Sequence, residues 1–490
     1  MSEGDGGEPS VAEPPGETGA GPAAASAAAS DGTRDGAAPA SDGGARMRGP
    51  RRAAAVAAAV LFAGVAAVLG LTTPWNPLPG HVPGGRVQAD PSLDFSPHEI
   101  ARANAFDGAV NPPAYSGLIV GLVVVLVLGF TPLGSRFIGW TTARVRRRPL
   151  RVAVAAVALT TLLRVLGLPF DIWGESVLRD YGLSTQSWPA WAVDQLKSLG
   201  VTWVIYTLAL LLLYAVVRRF PRYWWTGAAA GGFVLVVAVS FIYPVVVEPV
   251  FNDFHSLPAG QLRTDLLTMA KRDGVPVKDV LVADASRRTT SLNAYVSGFG
   301  STRRIVLYDT LLKSPRPQVE SIVGHELGHA KRNDVLWGTL VGGLGVAGGL
   351  CLLYLLTTSP RLLRRAGVAP DVPAARDARD ARSTGPADPR TIALVLALVA
   401  AGTQVAAPVQ NLVSRRIEAR ADAHALDLTR DPATFTAMQH ELSVRNINDL
   451  HPNPVEYLLW MTHPSGPDRI AMARDWSRMH HAPVPPPLQH

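Results

Sequence analysis

Seven long apolar runs constrain the fold of this chain more than any other feature of its sequence. Each run is close to the ~20 residues that an α-helix needs to cross a bilayer. The runs cover residues 53–73, 115–131, 150–169, 201–217, 228–247, 335–357 and 391–413. A buried core helix could account for any one of them, but several end in arginine clusters, which commonly flank membrane spans. The sequence therefore predicts a mainly α-helical, polytopic cell-membrane protein with about seven transmembrane helices.

Composition narrows the chemistry that this chain can support. It is 48% hydrophobic and 17% charged, and its net charge of +7 arises largely from arginines beside apolar runs, as at 144–148 and 218–219. That pattern favours the lipid bilayer as a partner and argues against nucleic acid. Cys351 is the one cysteine, so neither an intramolecular disulfide nor a thiolate cluster can form within the chain. A metal ion would have to be held by histidines and carboxylates.

The apolar runs also define the domain organisation. The predicted parts are a disordered N-terminal tail (1–50), five transmembrane helices (53–247), a first polar segment (248–334), two more transmembrane helices (335–413) with a charged, solvated linker (358–390), and a second polar segment (414–490). Because the chain crosses the membrane twice between them, the two polar segments lie on the same side. They can therefore build one site.

The first polar segment shows the periodicity of a small α/β unit. The pattern predicts an amphipathic helix at 262–273, a strand at 280–283, a strand pair at 293–296 and 304–308, and a helix that begins near 317 and runs into the sixth span.

The predicted helix near 317 carries the strongest chemical signal in the chain. His325, Glu326 and His329 form an H-E-x-x-H motif, and two histidines four residues apart project from one face of a helix. Two imidazoles at that spacing can chelate one zinc ion, and the glutamate lies beside them.

A catalytic zinc site needs a third protein ligand. Glu418 is the best candidate because it begins the second polar segment, on the same side as His325. Asp422 lies one helical turn further along, where it can accept an N–H from His325 and orient that ligand. The alternative is a pair of solvated carboxylates on an arginine-rich helix surface.

Several segments occur in the order and spacing of the integral-membrane CAAX prenyl endoproteases, which the chain resembles as a bacterial member. These segments are 292–295, 304–312, 325–329, 414–422 and 463–464, together with 167–169 after the third span and 243–251 after the fifth. The resemblance covers roughly residues 95–474. It implies a seven-span gluzincin metalloprotease with a thermolysin-like protease domain, a small β-sheet and one Zn²⁺ per chain.

The resemblance also implies roles for individual residues. Glu326 would take a proton from the attacking water and return it to the leaving amine. Asn293 and Ala294 would hold the substrate backbone as an added strand. His463 would donate a hydrogen bond to the oxyanion, and Arg469 would brace the site by pairing with a carboxylate.

Each of these last residues has an ordinary alternative. Asn293 could be a turn residue, His463 a loop histidine and Arg469 part of a solvated helix face. The family usually has two prolines after its C-terminal histidine, whereas Ser465 follows Pro464 here, which puts the local backbone geometry in question.

The resulting functional hypothesis is a zinc-dependent metalloendopeptidase that hydrolyses peptide bonds of membrane-associated or CAAX-like substrates. The alternative is a non-catalytic, zinc-stabilised membrane scaffold or chain-binding receptor. Glu326 discriminates between them, because a scaffold has no physical need for a base beside the metal. A transporter is disfavoured because the spans are nearly free of charge.

Two lines of reasoning disagree about sidedness. Arginines cluster before the first span and in the second, fourth and sixth loops, which predicts a cytoplasmic N-terminus and polar segments outside the cytoplasm. The eukaryotic relatives instead imply a site that faces the cytosol.

Overall fold

The computed structural model of the protein describes residues 42–298, 300–368 and 385–488. Among these residues, seven helices are long and apolar enough to cross a membrane. They are α1 (Asp42–Thr72), α2 (Pro97–Phe130), α4 (Arg148–Asp180), α5 (Trp188–Arg219), α6 (Trp224–Ile242), α10 (Asp334–Thr357) and α12 (Ile392–Thr429). Each contains most of a predicted apolar run, and the mainly helical, multi-pass fold is confirmed.

The shorter helices connect the spans or build the polar segments. They are α3 (Pro132–Thr141), α7 (Glu248–Phe251), α8 (Gln261–Arg272), α9 (Arg316–Arg332), α11 (Pro360–Arg365), α13 (Pro432–Arg445), α14 (Pro454–Leu459) and α15 (Gly466–Met479). A π-helical turn, Tyr243–Val247, joins α6 to α7.

The polar ends of two spans differ from prediction. The predicted disordered tail extends to residue 50, but residues 42–50 are the first turns of α1, where Ala, Arg and Met favour a helix. The rest of the predicted tail, 1–41, lies outside the described residues. The last span does not end near 413 either, because α12 continues unbroken to Thr429.

The linker 358–390 contains more structure than predicted. Helix α11 lies within it, and Leu363 and Val368 are buried against Leu394 of α12. These apolar contacts hold the start of the linker to the helices, so it is not a solvated loop there. Residues 369–384 of the linker lie outside the described part of the chain.

The predicted continuous helix from 317 into the sixth span is wrong. Helix α9 ends at Arg332, and Asn333 adopts a left-handed conformation with φ 55° before α10 begins. Asparagine tolerates this region better than most residues. The break lets α9 and the membrane helix α10 point in different directions.

A four-stranded sheet packs beside α9. Its strands are β1 (Phe254–Ser256), β2 (Asp279–Ala283), β3 (Ala294–Ser297) and β4 (Arg304–Tyr308), in the order β1-β2-β4-β3. Strands β2 and β4 are parallel, the other pairs antiparallel. The three predicted strands are present, while the three-residue β1 is too short to show an alternating pattern. Strand β3 is an edge strand of this sheet.

One apolar core joins the sheet to the helices of the polar segments. Buried side chains from α8, β2, β4, α9 and α12 contribute to it, among them Leu266, Val280, Ile305, Leu327 and Leu426. The site described next is therefore built on elements that share a core.

Candidate active site

Helix α9 carries both apolar residues that anchor it in the core and the H-E-x-x-H residues that line a cleft. Val319, Val323 and Leu327 are fully buried in the shared core. His325, Glu326 and His329 line a cleft of about 630 Å³. Packing of these apolar residues in the core thus fixes the direction of the H-E-x-x-H side chains.

Two glycines in α9 bring α12 close enough to complete the site. A Cβ at Gly328 would lie 3.1 Å from the ring of His424, and one at Gly324 would lie 3.5 Å from the backbone of Ala425. Small residues at this four-residue spacing allow close approach of a second helix. Helix α12 consequently delivers the predicted third ligand, Glu418, to the two histidines.

The three predicted ligand residues converge on one point. The Nε2 atoms of His325 and His329 lie 3.1 Å apart, and Glu418 Oε2 and Oε1 lie 3.1 Å and 3.5 Å from the Nε2 atoms of His325 and His329, respectively. Ligands bound at ~2.0–2.1 Å in a tetrahedron are separated by about 3.3 Å. The donor set and its spacing therefore fit a zinc ion.

Each histidine has a carboxylate behind its other ring nitrogen. Asp422 Oδ1 lies 2.8 Å from His325 Nδ1, and Asp334 Oδ2 lies 2.9 Å from His329 Nδ1. Such partners fix the tautomer and orientation of metal-binding histidines. Asp422 has the position predicted for it, whereas sequence reasoning missed Asp334, which follows a helix break that the sequence did not predict.

Arginines hold both of these carboxylates. Arg469 Nε donates to Asp422 Oδ2 at 2.8 Å, and Arg420 Nη2 donates to Asp334 Oδ1 at 2.5 Å. The pairing of Arg469 with a carboxylate agrees with its expected placement, while Arg420 was not singled out. Buried carboxylates need such partners to remain charged.

The electrostatics of the cluster also favour a cation. Burial alone would lower the pKa of His329, but the carboxylates of Asp334 and Glu418 outweigh burial and raise that pKa to about 10. The pKa of His325 is likewise raised, against burial, by Asp422 and Glu418. Without a metal ion the imidazole of His329 holds its proton at neutral pH, so metal binding must displace that proton.

Glu326 has an environment unlike that of the other carboxylates. It lines the cleft beside the three ligands, and its carboxylate has no hydrogen bond to any residue that the structure describes. Burial raises its pKa, although His325 and His329 attract its charged form. The group is thus directed into the cleft and available to accept a proton.

His463 reaches the same cleft from the second polar segment. Its Nε2 lies 3.3 Å from Glu418 Oε2, and its Nδ1 lies 2.8 Å from the hydroxyl of Thr462. Ser465, which replaces the expected second proline, is the N-cap residue of α15, and it forms a capping box with Asp468. This serine starts the helix that carries Arg469, so the departure from two prolines supplies a helix cap.

Asn293 and Ala294 lie at the start of the edge strand β3, on the wall of the cleft. The Asn293 side chain is exposed, whereas Ala294 is buried with its methyl group in the core. Ala294 can therefore contact a substrate only through its backbone, while Asn293 can also use its amide.

Seven membrane-spanning helices, an H-E-x-x-H helix and a converging carboxylate define a multi-pass membrane metalloprotease. Residues 256–477 match the model of peptidase family M48, and residues 115–253 match a model described as CAAX prenyl protease N-terminal, five membrane helices. A Bacillus subtilis protein named uncharacterized metalloprotease YhfN is 30% identical over 389 residues, which cover 79% of this chain and 88% of that protein. The chain belongs to peptidase family M48.

Other relatives agree with this assignment. A CAAX prenyl protease 1 homolog of Oryza sativa is 26% identical over 322 residues, covering 64% of this chain and 70% of that protein. The crystal structure of S. mikatae Ste24p superposes with a TM-score of 0.66 at 19% identity, covering 86% of this chain and 98% of that one. At this identity the superposition shows a shared fold.

Proposed function

We propose that this protein is a zinc-dependent integral-membrane endopeptidase that hydrolyses membrane-associated or CAAX-like chains. The observation that carries the proposal is the carboxylate of Glu326, which lies in the cleft beside the three converging ligands. A zinc-stabilised scaffold or chain-binding receptor has no use for such a base. We therefore rank that alternative second.

The residues divide the chemistry of peptide hydrolysis among themselves. His325, His329 and Glu418 would hold the zinc ion, which as a Lewis acid polarises the scissile carbonyl. Glu326 takes a proton from the attacking water and passes it to the leaving amine. Its raised pKa suits this exchange, because a base works best when its pKa approaches the working pH.

The remaining residues bind and orient the substrate. The backbone of β3 pairs with an extended substrate chain, as an edge strand can, and the Asn293 amide adds a side-chain contact. When Nδ1 of His463 accepts from Thr462, Nε2 carries the proton and donates to the developing oxyanion. Arg469 acts indirectly, because it holds Asp422 behind His325.

The position of the cleft supports a membrane-associated substrate. The cleft is lined by Tyr243, which directly follows α6, and by Val335 and Leu336 in the first turn of the span α10. A chain held at the membrane surface can reach the ligands there. The names of eukaryotic relatives such as the rice homolog point to CAAX-like chains, whereas the Bacillus relative is named only as a metalloprotease.

A cleavage assay tests the proposal directly. The full-length protein, purified in detergent and loaded with zinc, should cut quenched fluorescent peptides that carry a lipid or apolar anchor. Chelation should stop cleavage, and added zinc should restore it. Mass spectrometry identifies the bond that is cut. If the zinc-loaded protein binds anchored peptides across a broad panel but releases them uncut, the receptor alternative replaces the protease.

For sidedness, we propose that the N-terminus lies in the cytoplasm and the site outside it. The arginines before the first span and in the even-numbered loops support this orientation. They are Arg46, Arg48, Arg51, Arg52, Arg136, Arg144, Arg146, Arg147, Arg148, Arg151, Arg218, Arg219, Arg222, Arg361, Arg364 and Arg365. A reporter that works only in the cytoplasm, fused after His490, should be inactive. Strong reporter activity would show that the C-terminus and the site face the cytoplasm instead.

A further inference from the structure

Helix α12 carries four polar residues on one face. Asn411, Arg415, Glu418 and Asp422 are spaced by four, three and four residues, which places them along a single stripe of a helix. All four are buried. Glu418 and Asp422 belong to the metal site, whereas Asn411 and Arg415 have no contact with it.

Asn411 and Arg415 instead bind the backbone of the segment that leads to His463. Arg415 Nη1 donates to the carbonyl oxygens of Tyr457 and Met461, both at 2.5 Å, and its guanidinium lies 4.2 Å from the centre of the Tyr457 ring. The Asn411 amide donates to the carbonyl oxygen of Leu459 at 2.6 Å. We name residues 457–461, the end of α14 and the two residues after it, the clamped segment.

The clamped segment needs these donors. The last carbonyl groups of a helix have no partner within the helix, and α14 ends at Leu459. A buried arginine is also costly unless its N–H groups are satisfied. Both requirements are met by the same contacts, which explains why an arginine and an asparagine occupy these two positions of the stripe.

His463 lies between the clamped segment, which ends two residues before it, and the buried helix-cap residue Ser465, two residues after it. Its side chain is 58% exposed, and its hydrogen-bond partner is the neighbouring Thr462. Its distance of 3.3 Å from Glu418 therefore depends on the clamped segment on one side and on the start of α15 on the other. Because Arg415 precedes Glu418 by three residues, one rigid helix sets both ends of that distance.

We infer that Asn411 and Arg415 are positioning residues that fix His463 over the metal ligands. This inference rests on the proposed function, in which His463 donates to the oxyanion. A shift of about 1 Å in a catalytic group can cost ~10² in rate, so loss of the clamp should lower kcat far more than it changes KM.

The fold should survive loss of the clamp, because α2 holds α14 independently. The rings of Tyr115 and Trp460 lie 4.6 Å apart. The Asn111 amide donates to Glu456 Oε1 at 3.0 Å. These contacts keep α14 and Trp460 near their places when Arg415 is replaced, whereas neither of them involves Met461.

A double-mutant cycle in the zinc-loaded protein tests the inference. Arg415→Met should lower kcat by about 10- to 100-fold with unchanged zinc content, and Arg415→Lys should recover part of the loss. In a His463→Ala background, Arg415→Met should cost no more than about twofold further, because both changes act through one residue. Arg416→Met is the matched control, since Arg416 is exposed beside Arg415. A full additional loss in the His463→Ala background would overturn the inference.

A second measurement does not depend on activity. Cys351 is the one cysteine in the sequence and is buried, so a nitroxide can be attached selectively to Thr462→Cys. Its electron paramagnetic resonance spectrum should show greater mobility with Arg415→Met or Asn411→Ala and no change with Arg416→Met. Unchanged mobility in both clamp variants would refute the inference. Absence of cleavage by the parent would instead refute the proposed function and leave this measurement valid.

Discussion

Glu326→Gln should keep its zinc and lose peptide cleavage by a factor of about 10² or more. Glutamine nearly matches glutamate in shape, so the three ligands and the cleft should be undisturbed. Its amide cannot accept the proton of the attacking water or deliver it to the leaving amine. The expected loss is therefore one of kcat, with bound metal and substrate affinity close to those of the parent.

The measurement pairs single-turnover cleavage with metal analysis of the same preparation. Glu320→Gln is the matched control, because Glu320 lies on the same helix but pairs with Arg316 at the surface, where an ion pair contributes little. It should retain parental activity. If Glu326→Gln keeps activity within about tenfold of the parent, Glu326 is not the general base.

The same variant can reveal the natural substrates. A protein that binds chains but does not cut them should retain those chains during purification, and mass spectrometry can identify them. The identity of the retained chains would show whether the substrates are CAAX-like chains or other membrane proteins. The experiment therefore addresses the substrate class, which relatives at 26–30% identity do not determine.

Those features of the fold that depend on local periodicity could be predicted from the sequence. Apolar runs of spanning length predicted the seven helices, and the H-E-x-x-H spacing predicted that His325 and His329 share one face of α9. One topological step went further. An even number of crossings between the polar segments placed Glu418 on the side of His325, and the two side chains lie 3.1 Å apart.

The features that were missed depend on tertiary contacts or on single backbone conformations. The left-handed Asn333 separates α9 from α10, and one residue in that region leaves no periodic signal. Asp334 becomes a partner of His329 only because of that break. Likewise, the pairing of Arg420 with Asp334 joins residues far apart in the sequence, so spacing alone could not reveal it.

The continuity of α12 shows how the membrane and catalytic parts depend on each other. The sequence suggested a boundary at 414, where apolar residues give way to arginines. In the structure one helix passes through that boundary and carries the clamp residues, the third ligand and Asp422. A change in residue polarity along a helix marks its surroundings and does not mark its end.

His325→Ala or Glu418→Ala should lose the zinc ion and, with it, all measurable peptide cleavage. Either change leaves two protein ligands where a catalytic zinc site uses three. The loss should exceed that of Glu326→Gln, because the metal supplies both carbonyl polarisation and the geometry of the site. A graded comparison sharpens the test. Asp334→Asn keeps all three ligands but removes the charge behind His329, and it should weaken zinc affinity by about 10- to 100-fold.

Metal content after dialysis against buffered zinc measures all three variants on one scale. Asp180→Asn serves as the control, since Asp180 is an exposed carboxylate at the end of α4, and it should bind zinc like the parent. The expected order of affinity is parent and Asp180→Asn, then Asp334→Asn, then the two ligand variants. Undiminished zinc in His325→Ala or Glu418→Ala would show that the ion is held elsewhere. That result would contradict the mechanism proposed for this cleft.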